Sequence, residues 1–179
     1  MDTLFGGEMK KWLAMAAVIG SLTACGDSGP TGPTATPANI AASYATKITA
    51  SSTCSANLPT ETRALDFLAN ITQSGAAVQV QLIAHVPGVP EITFSGTVSG
   101  QTVTFPTISF TQAMGRGASL AASGNASVAA NGLSITGSLN GTYQTSSGAS
   151  CNAANHQIQL VKLCSQPTAN GTVMLPCQQ

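Results

Sequence analysis

The feature that most constrains the fold is an alternation of apolar and small polar side chains with a period of two residues. Ile92, Phe94 and Val98 share one parity before a Ser-Gly-Gln turn, and Val103 and Phe105 share one parity after it. This period, with β-branched and aromatic residues on a single parity, predicts an antiparallel β-hairpin that buries one side and exposes the other.

The same pattern recurs elsewhere in the chain. It is found from Ser127 to Tyr143, where Asn131-Gly132 is a two-residue turn signal, and from Arg63 to His85 around a glycine turn. Because most connections are short, neighbouring strands in sequence should also pair in space. We predict eight strands: Ser43–Thr53, Arg63–Thr72, Ala77–His85, Glu91–Val98, Thr102–Thr111, Leu120–Ala130, Leu133–Gln144 and Asn152–Cys164.

This strand order predicts an all-β fold, an eight-stranded antiparallel up-and-down meander closed into a small barrel. Closure removes the two free edges that an open sheet would expose. A two-sheet β-sandwich built from the same strands is the alternative. Residues 60–71 could also form a short helix, but the apolar residues at alternate positions favour a strand; they are Leu65, Phe67, Ala69 and Ile71.

Four cysteines in the predicted domain allow three disulfide pairings. In a closed meander with an even number of strands, the end of the first strand lies beside the start of the last. Cys54 ends the first predicted strand and Cys151 precedes the last. The topology therefore predicts a Cys54–Cys151 bond across the barrel seam and a Cys164–Cys177 bond that ties the C-terminal tail to the eighth strand.

The N-terminal segment has the features of an export signal. Lys10 and Lys11 precede an apolar run that is too short to span a membrane. The run ends in Leu22-Thr23-Ala24-Cys25, which resembles the lipobox of bacterial lipoproteins. The resemblance implies that residues 1–24 are a cleaved signal peptide and that Cys25 carries the acyl chains, such as palmitate, that anchor the protein to a membrane.

Two further expectations concern this region. The acidic residues Asp2 and Glu8 are atypical of a signal, so Met9 is the expected initiator. Gly26 follows the lipobox cysteine in place of the aspartate that retains lipoproteins in the inner membrane of enteric bacteria, which favours the outer membrane. Residues 26–39 contain three prolines, three glycines and no large apolar residue, and predict a disordered tether before a barrel domain at residues 40–179.

Charge and motifs exclude several functions. Six basic and six acidic residues form no basic stripe, so a nucleic-acid partner is not expected. The two histidines, His85 and His156, have no spacing typical of a metal site, and no cofactor motif is present. Gly117-Ala118-Ser119-Leu120-Ala121 matches only half of a nucleophile elbow. We therefore expect no enzymatic activity.

The apolar side chains at alternate positions share one face of the predicted sheet, and this face forms the candidate barrel interior. Three glycines on it, Gly96, Gly137 and Gly141, either relieve crowding between strands or leave a ligand cavity. The strand layout over residues 43–164 is similar to that of the calycins, the lipocalin-like barrels, which implies a small apolar ligand inside. The candidate lining residues are Phe67, Val80, Phe94, Gly96, Phe105, Ile135, Gly137, Tyr143, His156 and Ile158.

These features predict a lipid-anchored protein of the cell envelope that acts as a non-catalytic binding module. Its partner is either a small apolar ligand inside the barrel or an envelope protein at the loops, which include the long Val86–Pro90 and Ala113–Ser119 loops. The alternative is a structural or interaction protein, including an enzyme inhibitor, with no small-molecule ligand.

Overall fold

The computed structural model describes residues 35–84, 91–113, 118–145, 147–168 and 171–178. The predicted signal peptide, the lipobox with Cys25 and most of the predicted tether lie outside these residues, as does His85. In the part of the chain that the structure describes, no helix is long and apolar enough to cross a membrane.

The described chain is built almost entirely of antiparallel β-strands. Two 3₁₀ segments, Ser52–Ala56 and Thr60–Thr62, connect the first two strands. The strands are β1 (Ala42–Thr49), β2 (Ala64–Ser74), β3 (Ala77–Ala84), β4 (Ile92–Ser99), β5 (Thr102–Ala113), β6 (Ala118–Val128), β7 (Ser134–Thr145), β8 (Ser150–Thr168) and β9 (Gly171–Pro176).

Each strand pairs with the next in sequence, and β1 pairs in addition with β8. The β1–β8 register runs from Tyr44 opposite Lys162 to Thr49 opposite Gln157. This pairing closes β1–β8 into an eight-stranded meander barrel, with β9 outside it. The predicted barrel is therefore confirmed, and the sandwich alternative is wrong.

Two predicted strand ends differ from the structure by four residues, and the other described boundaries agree to within two. The first strand ends at Thr49 and not at Thr53, because the hydroxyl of Ser51 accepts a hydrogen bond from the backbone N–H of Thr53 and favours a local turn over a sheet ladder. The eighth strand continues from Lys162 to Thr168, where β9 supplies it with a new partner.

The barrel interior is filled by the side chains that the alternating pattern placed on the inner face. All ten candidate lining residues lie on the inner side; nine are buried and Gly137 is half-buried. The rings of Phe94 and Phe105 contact edge to face with centroids 5.5 Å apart, and those of Phe67 and Phe110 do so at 5.9 Å. Burial of each such side chain contributes about 1.5–3 kcal/mol to folding.

The inner glycines allow neighbouring strands to approach closely. A Cβ atom on Gly137 would lie 2.2 Å from the carbonyl oxygen of Asn125, and one on Gly141 would lie 2.1 Å from that of Ala121. A Cβ atom on Gly96 would lie 2.9 Å from the ring of Phe105. Main chain and side chains therefore fill the space beside these glycines. Of the two interpretations that the sequence allowed, relief of crowding is the one that the structure supports.

The two ends of the barrel differ. The entry end carries the β2–β3, β4–β5 and β6–β7 turns and the residues through which the chain enters the domain. There the N–H of Ala38 donates to the carbonyl of Gly100 at 2.8 Å, and the side chain of Gln73 donates to the carbonyl of Ala38 at 3.0 Å. The segment predicted as a tether therefore contacts the barrel at Ala38. The opposite end, which we call the cleft end, carries residues 50–63 and the start of β8.

Candidate functional site

The barrel seam opens at the cleft end. Pairing between β1 and β8 stops at Thr49 and Gln157, and the chain then turns into the Ser52–Ala56 segment, with the N–H of Ala50 donating to the carbonyl of Arg63 at 2.7 Å. Residues 150–153 of β8 remain paired with β7 on their other side. The side of β8 that faces away from β7 therefore lines a gap instead of a strand.

This gap is an open depression, here called the seam cleft, with a volume of about 650 Å³. Its lining consists of hydroxyl, amide, methyl and main-chain groups and carries no charge. The lining residues are Thr49, Ala50, Ser51, Ser52, Thr53, Asn152, Ala153, Ala154, Asn155 and Gln157. Such a surface offers hydrogen-bond donors and acceptors without electrostatic attraction, and it therefore suits an uncharged polar ligand.

A disulfide bond fixes the width of the seam cleft. Cys54, on the 3₁₀ segment, is bonded to Cys151 at the start of β8, and their Cα atoms are 5.6 Å apart. This is the pairing that the barrel topology predicted, although Cys54 follows β1 in a 3₁₀ segment and does not end the strand itself. The bond closes a loop of 97 residues, and on the chain-entropy model it contributes about 4–5 kcal/mol to stability.

The second wall of the seam cleft is held by Arg63. Its Nε atom donates to the carbonyl of Leu58 at 2.8 Å, and an Nη atom donates to the carbonyl of Ser55. Tyr143, fully buried in β7, donates its hydroxyl to the carbonyl of Thr62. These bonds satisfy main-chain oxygens of a segment that has no sheet partner, and they keep residues 52–63 in one position over the barrel end.

His156 lies beneath the seam cleft and is fully buried. Its Nδ1 atom is 3.0 Å from the backbone nitrogen of Ser51, and its Nε2 atom is 3.0 Å from the carbonyl oxygen of Gly141. Since a backbone N–H donates, Nδ1 accepts, and Nε2 must carry the proton that it donates to Gly141. Both ring nitrogens are therefore used in structural hydrogen bonds.

Asn155 has a backbone conformation that few side chains adopt. It is the one non-glycine residue with positive φ found in the described chain, with φ of 69°. The β7–β8 register shifts at this point, between Leu139 and Gly141, and the N–H of Asn155 donates to the side chain of Asn140 at 3.2 Å. A left-handed residue beside a bulge is costly, and such positions occur preferentially at functional sites.

The seam cleft was not predicted, although the sequence carries one signal of it. Cys151 is buried at an odd-numbered position, whereas His156 and Ile158 are buried at even-numbered positions. The alternation of inward and outward side chains along β8 must therefore break between Cys151 and His156. That break is the bulge at Asn155. The predicted lining residues of the interior line the packed core instead, and none of them lines the cleft; His156 lies beneath it and accepts a hydrogen bond from the backbone N–H of Ser51.

Among the described residues, no three His, Cys, Asp or Glu side chains form a cluster suited to a metal ion. The Cys164–Cys177 disulfide lies outside the barrel proper, at the base of the β8–β9 hairpin.

Comparison of the chain with protein families, with curated proteins and with solved structures gives no match in any of the three cases.

Proposed function

We propose that the protein is an exported, lipid-anchored binding module of the bacterial cell envelope, which binds an uncharged partner at the seam cleft. The single observation that carries the binding site is the cleft itself: a disulfide-braced opening of the barrel seam that exposes one side of β8 beside a left-handed Asn155. The anchor is a separate part of the proposal and depends on Cys25.

The anchor is supported by two features. The lipobox Leu22-Thr23-Ala24-Cys25 follows a basic and then an apolar segment, as in bacterial lipoproteins. The remaining four cysteines form two disulfide bonds, which persist in an oxidising compartment outside the cytoplasm. The outer membrane is the proposed destination because Gly26 follows the acylated cysteine.

The character of the partner follows from the lining of the cleft. With no charged side chain among its ten lining residues, the cleft favours a ligand that is rich in hydroxyl and amide groups and has no net charge, such as an N-acetylated glycan. A non-catalytic role is proposed because the lining offers no imidazole, thiol, carboxylate or amine to transfer a proton.

A ligand inside the barrel is the weaker version of the binding hypothesis. The glycines that motivated it face neighbouring strands at distances that leave no room for a Cβ atom. The alternative of an interaction or inhibitor lipoprotein without a small-molecule ligand uses the same exposed cleft, with a loop or strand of an envelope protein as the occupant. The two versions differ only in what enters the cleft.

The anchor is tested by intact-mass analysis of the protein extracted from membranes, together with labelling by radioactive palmitate. We expect a mass that corresponds to a chain beginning at Cys25 with added acyl groups, and loss of label and of membrane association in Cys25→Ser. A mature chain that retains residues 1–24 or carries no acyl mass would refute the anchor.

The cleft is tested by NMR titration of the ¹⁵N-labelled protein with soluble, neutral oligosaccharides of N-acetylglucosamine. We expect shifts confined to residues 49–53 and 152–157, and their loss in Ala154→Arg, which places a long charged side chain in the cleft. Ser123→Arg is the matched control, because Ser123 is exposed on β6 away from the cleft. Shifts elsewhere, or unchanged binding by Ala154→Arg, would exclude the cleft as the glycan site.

A further inference from the structure

The C-terminal hairpin projects from the barrel as a separate arm. After Lys162, β8 leaves the barrel and pairs only with β9, from Leu163 opposite Pro176 to Thr168 opposite Gly171. A disulfide between Cys164 and Cys177 closes the base of this arm, with Cα atoms 5.0 Å apart. The N–H of Cys177 donates to the carbonyl of Lys162 at 2.9 Å, which joins the arm firmly to the barrel.

The arm carries an apolar surface that the fold does not cover. Val173, Met174 and Leu175 are the large hydrophobic residues found exposed in the described chain, with 39%, 48% and 44% of their surfaces accessible. They are consecutive, so they cover both faces of β9. Surface hydrophobic residues scattered singly need no explanation, but three in succession on a projecting arm are a candidate interaction surface.

The position of the arm indicates what covers this surface. β8 leaves the barrel where Lys162 lies opposite Tyr44, the third residue of β1, and its N–H donates to the carbonyl of Leu133 in the β6–β7 connection. This is the entry end, where Ala38 contacts Gly100. A chain running from Cys25 to Ala38 spans at most about 45 Å when fully extended. An anchor at Cys25 would therefore keep the entry end, and the arm with it, within about 45 Å of the lipid surface.

The charge distribution agrees with this orientation. Among the described residues, Lys162 is the charged residue at the entry end, and the arm contains no charged residue. Asp66 lies opposite Lys47 near the cleft end of β1, and Glu91 precedes β4 at that same end. The entry end therefore presents a cation and no described carboxylate, which favours contact with a bilayer that contains anionic phospholipids.

We propose that the arm is a second membrane contact, in which Val173, Met174 and Leu175 insert into the interfacial region of the phospholipid bilayer beside the acyl anchor. Among the described strands only β8 pairs with β9, so the other edge of β9 restricts the arm to the hydrated interface and excludes it from the hydrocarbon centre. This contact rests on the proposed anchoring at Cys25, and it orients the barrel so that the seam cleft faces away from the membrane.

The test uses the full chain with two single-tryptophan reporters. Trp12 is the only tryptophan in the sequence and lies in the proposed signal peptide, so the mature acylated protein has no tryptophan and each substitution is a single reporter. Met174→Trp reports on the arm, and Gln144→Trp, exposed on β7 at the cleft end, is the matched control. Both proteins are reconstituted into vesicles of phosphatidylethanolamine and phosphatidylglycerol with brominated acyl chains, and the acylation state of each preparation is measured by intact mass.

We expect a blue shift and strong bromine quenching for Met174→Trp and no change for Gln144→Trp. Equal quenching of both reporters, or none for Met174→Trp, would overturn the arm contact. A blue shift that depends on protein concentration without vesicles would also overturn it, because the arm would then pair with a second copy of the chain. A preparation without acyl mass would refute the anchor separately, since the mass is measured independently of the fluorescence.

Discussion

The Nδ1 atom of His156 accepts a hydrogen bond of 3.0 Å from the backbone N–H of Ser51, a residue 105 positions away in sequence. This bond connects Ser51, just after β1 leaves the seam, with His156, the residue that follows the bulge in β8. It satisfies a buried donor that has lost its strand partner, because Ser51 lies just beyond the last β1–β8 pair. His156 thus supports the seam cleft from below.

Replacement of His156 by phenylalanine should weaken this region strongly. Phenylalanine keeps an aromatic ring but has no hydrogen-bonding atoms, so the buried N–H of Ser51 and the carbonyl of Gly141 each lose a partner. This loss should lower the free energy of unfolding by about 2–4 kcal/mol. Urea denaturation monitored by far-UV circular dichroism measures the change. Gln159→Ala, an exposed change on the same strand, should stay within about 0.5 kcal/mol of the wild type. Equal stability of His156→Phe and the wild type would contradict the structural role of the imidazole.

Thr46 should be a site of easy stabilisation. Its hydroxyl is buried on the inner face of β1 and has no hydrogen-bond partner among the described residues. Valine has the same shape without the polar atom, so Thr46→Val should raise the free energy of unfolding by about 1 kcal/mol. The control Thr136→Val, at an exposed position of β7, should change it by less than about 0.5 kcal/mol. A loss of stability in Thr46→Val would mean that a bound water satisfies the hydroxyl.

The barrel was predictable because three kinds of local information agree. The alternation of residues such as Ile92, Phe94 and Val98 defines the strands, the glycine turns define their order, and the positions of Cys54 and Cys151 identify the seam. Each of these acts over a few residues or through a single long-range constraint. Closure then follows, since two free edges are unfavourable.

The seam cleft and β9 were not predictable for physical reasons. The turn after Thr49 depends on the hydroxyl of Ser51, which competes with a sheet partner only when the fold positions both. The six residues of β9 form a strand because the disulfide and the extension of β8 supply a partner, and a two-stranded hairpin has little stability on its own. Both features depend on contacts between distant parts of the chain.

The packed interior predicts a severe effect of Gly137→Ala. The added methyl group would lie 2.2 Å from the carbonyl oxygen of Asn125 and 2.5 Å from the Cα atom of Ala126, so β6 and β7 must separate. We expect a loss of about 3 kcal/mol in the free energy of unfolding. The comparison variant is Gly75→Ala in the β2–β3 turn, where φ is +59° and nothing lies within 4 Å; it should cost about 1–2 kcal/mol through backbone strain alone. A Gly137→Ala protein as stable as Gly75→Ala would indicate free space inside the barrel.

Tyr44 should make stability depend on alkaline pH. Burial raises the pKa of its hydroxyl above the ordinary value of 10.0, and the neutral hydroxyl donates to the carbonyl of Ile40 at 2.9 Å. The unfolded chain therefore loses this proton at a lower pH than the folded one. The titration of Tyr44 should leave the free energy of unfolding independent of pH below the ordinary pKa, and it should lower that free energy as pH rises from there towards the raised pKa. Tyr44→Phe should remove this part of the decline, as measured by urea denaturation at a series of pH values; an unchanged profile would contradict the assignment.

Hydrogen exchange of individual amides, followed by NMR, tests most directly the claim that β1 and β8 close the barrel and then diverge to form the seam cleft. Since β1 has a partner strand on each side, every amide from Ala45 to Ile48 should be protected, and so should those of Ile158 to Val161 in β8. In the seam cleft, the amides of residues 152–154 that point away from β7 should exchange rapidly. An open sheet would instead protect only every second amide of β1, and that pattern would contradict the account.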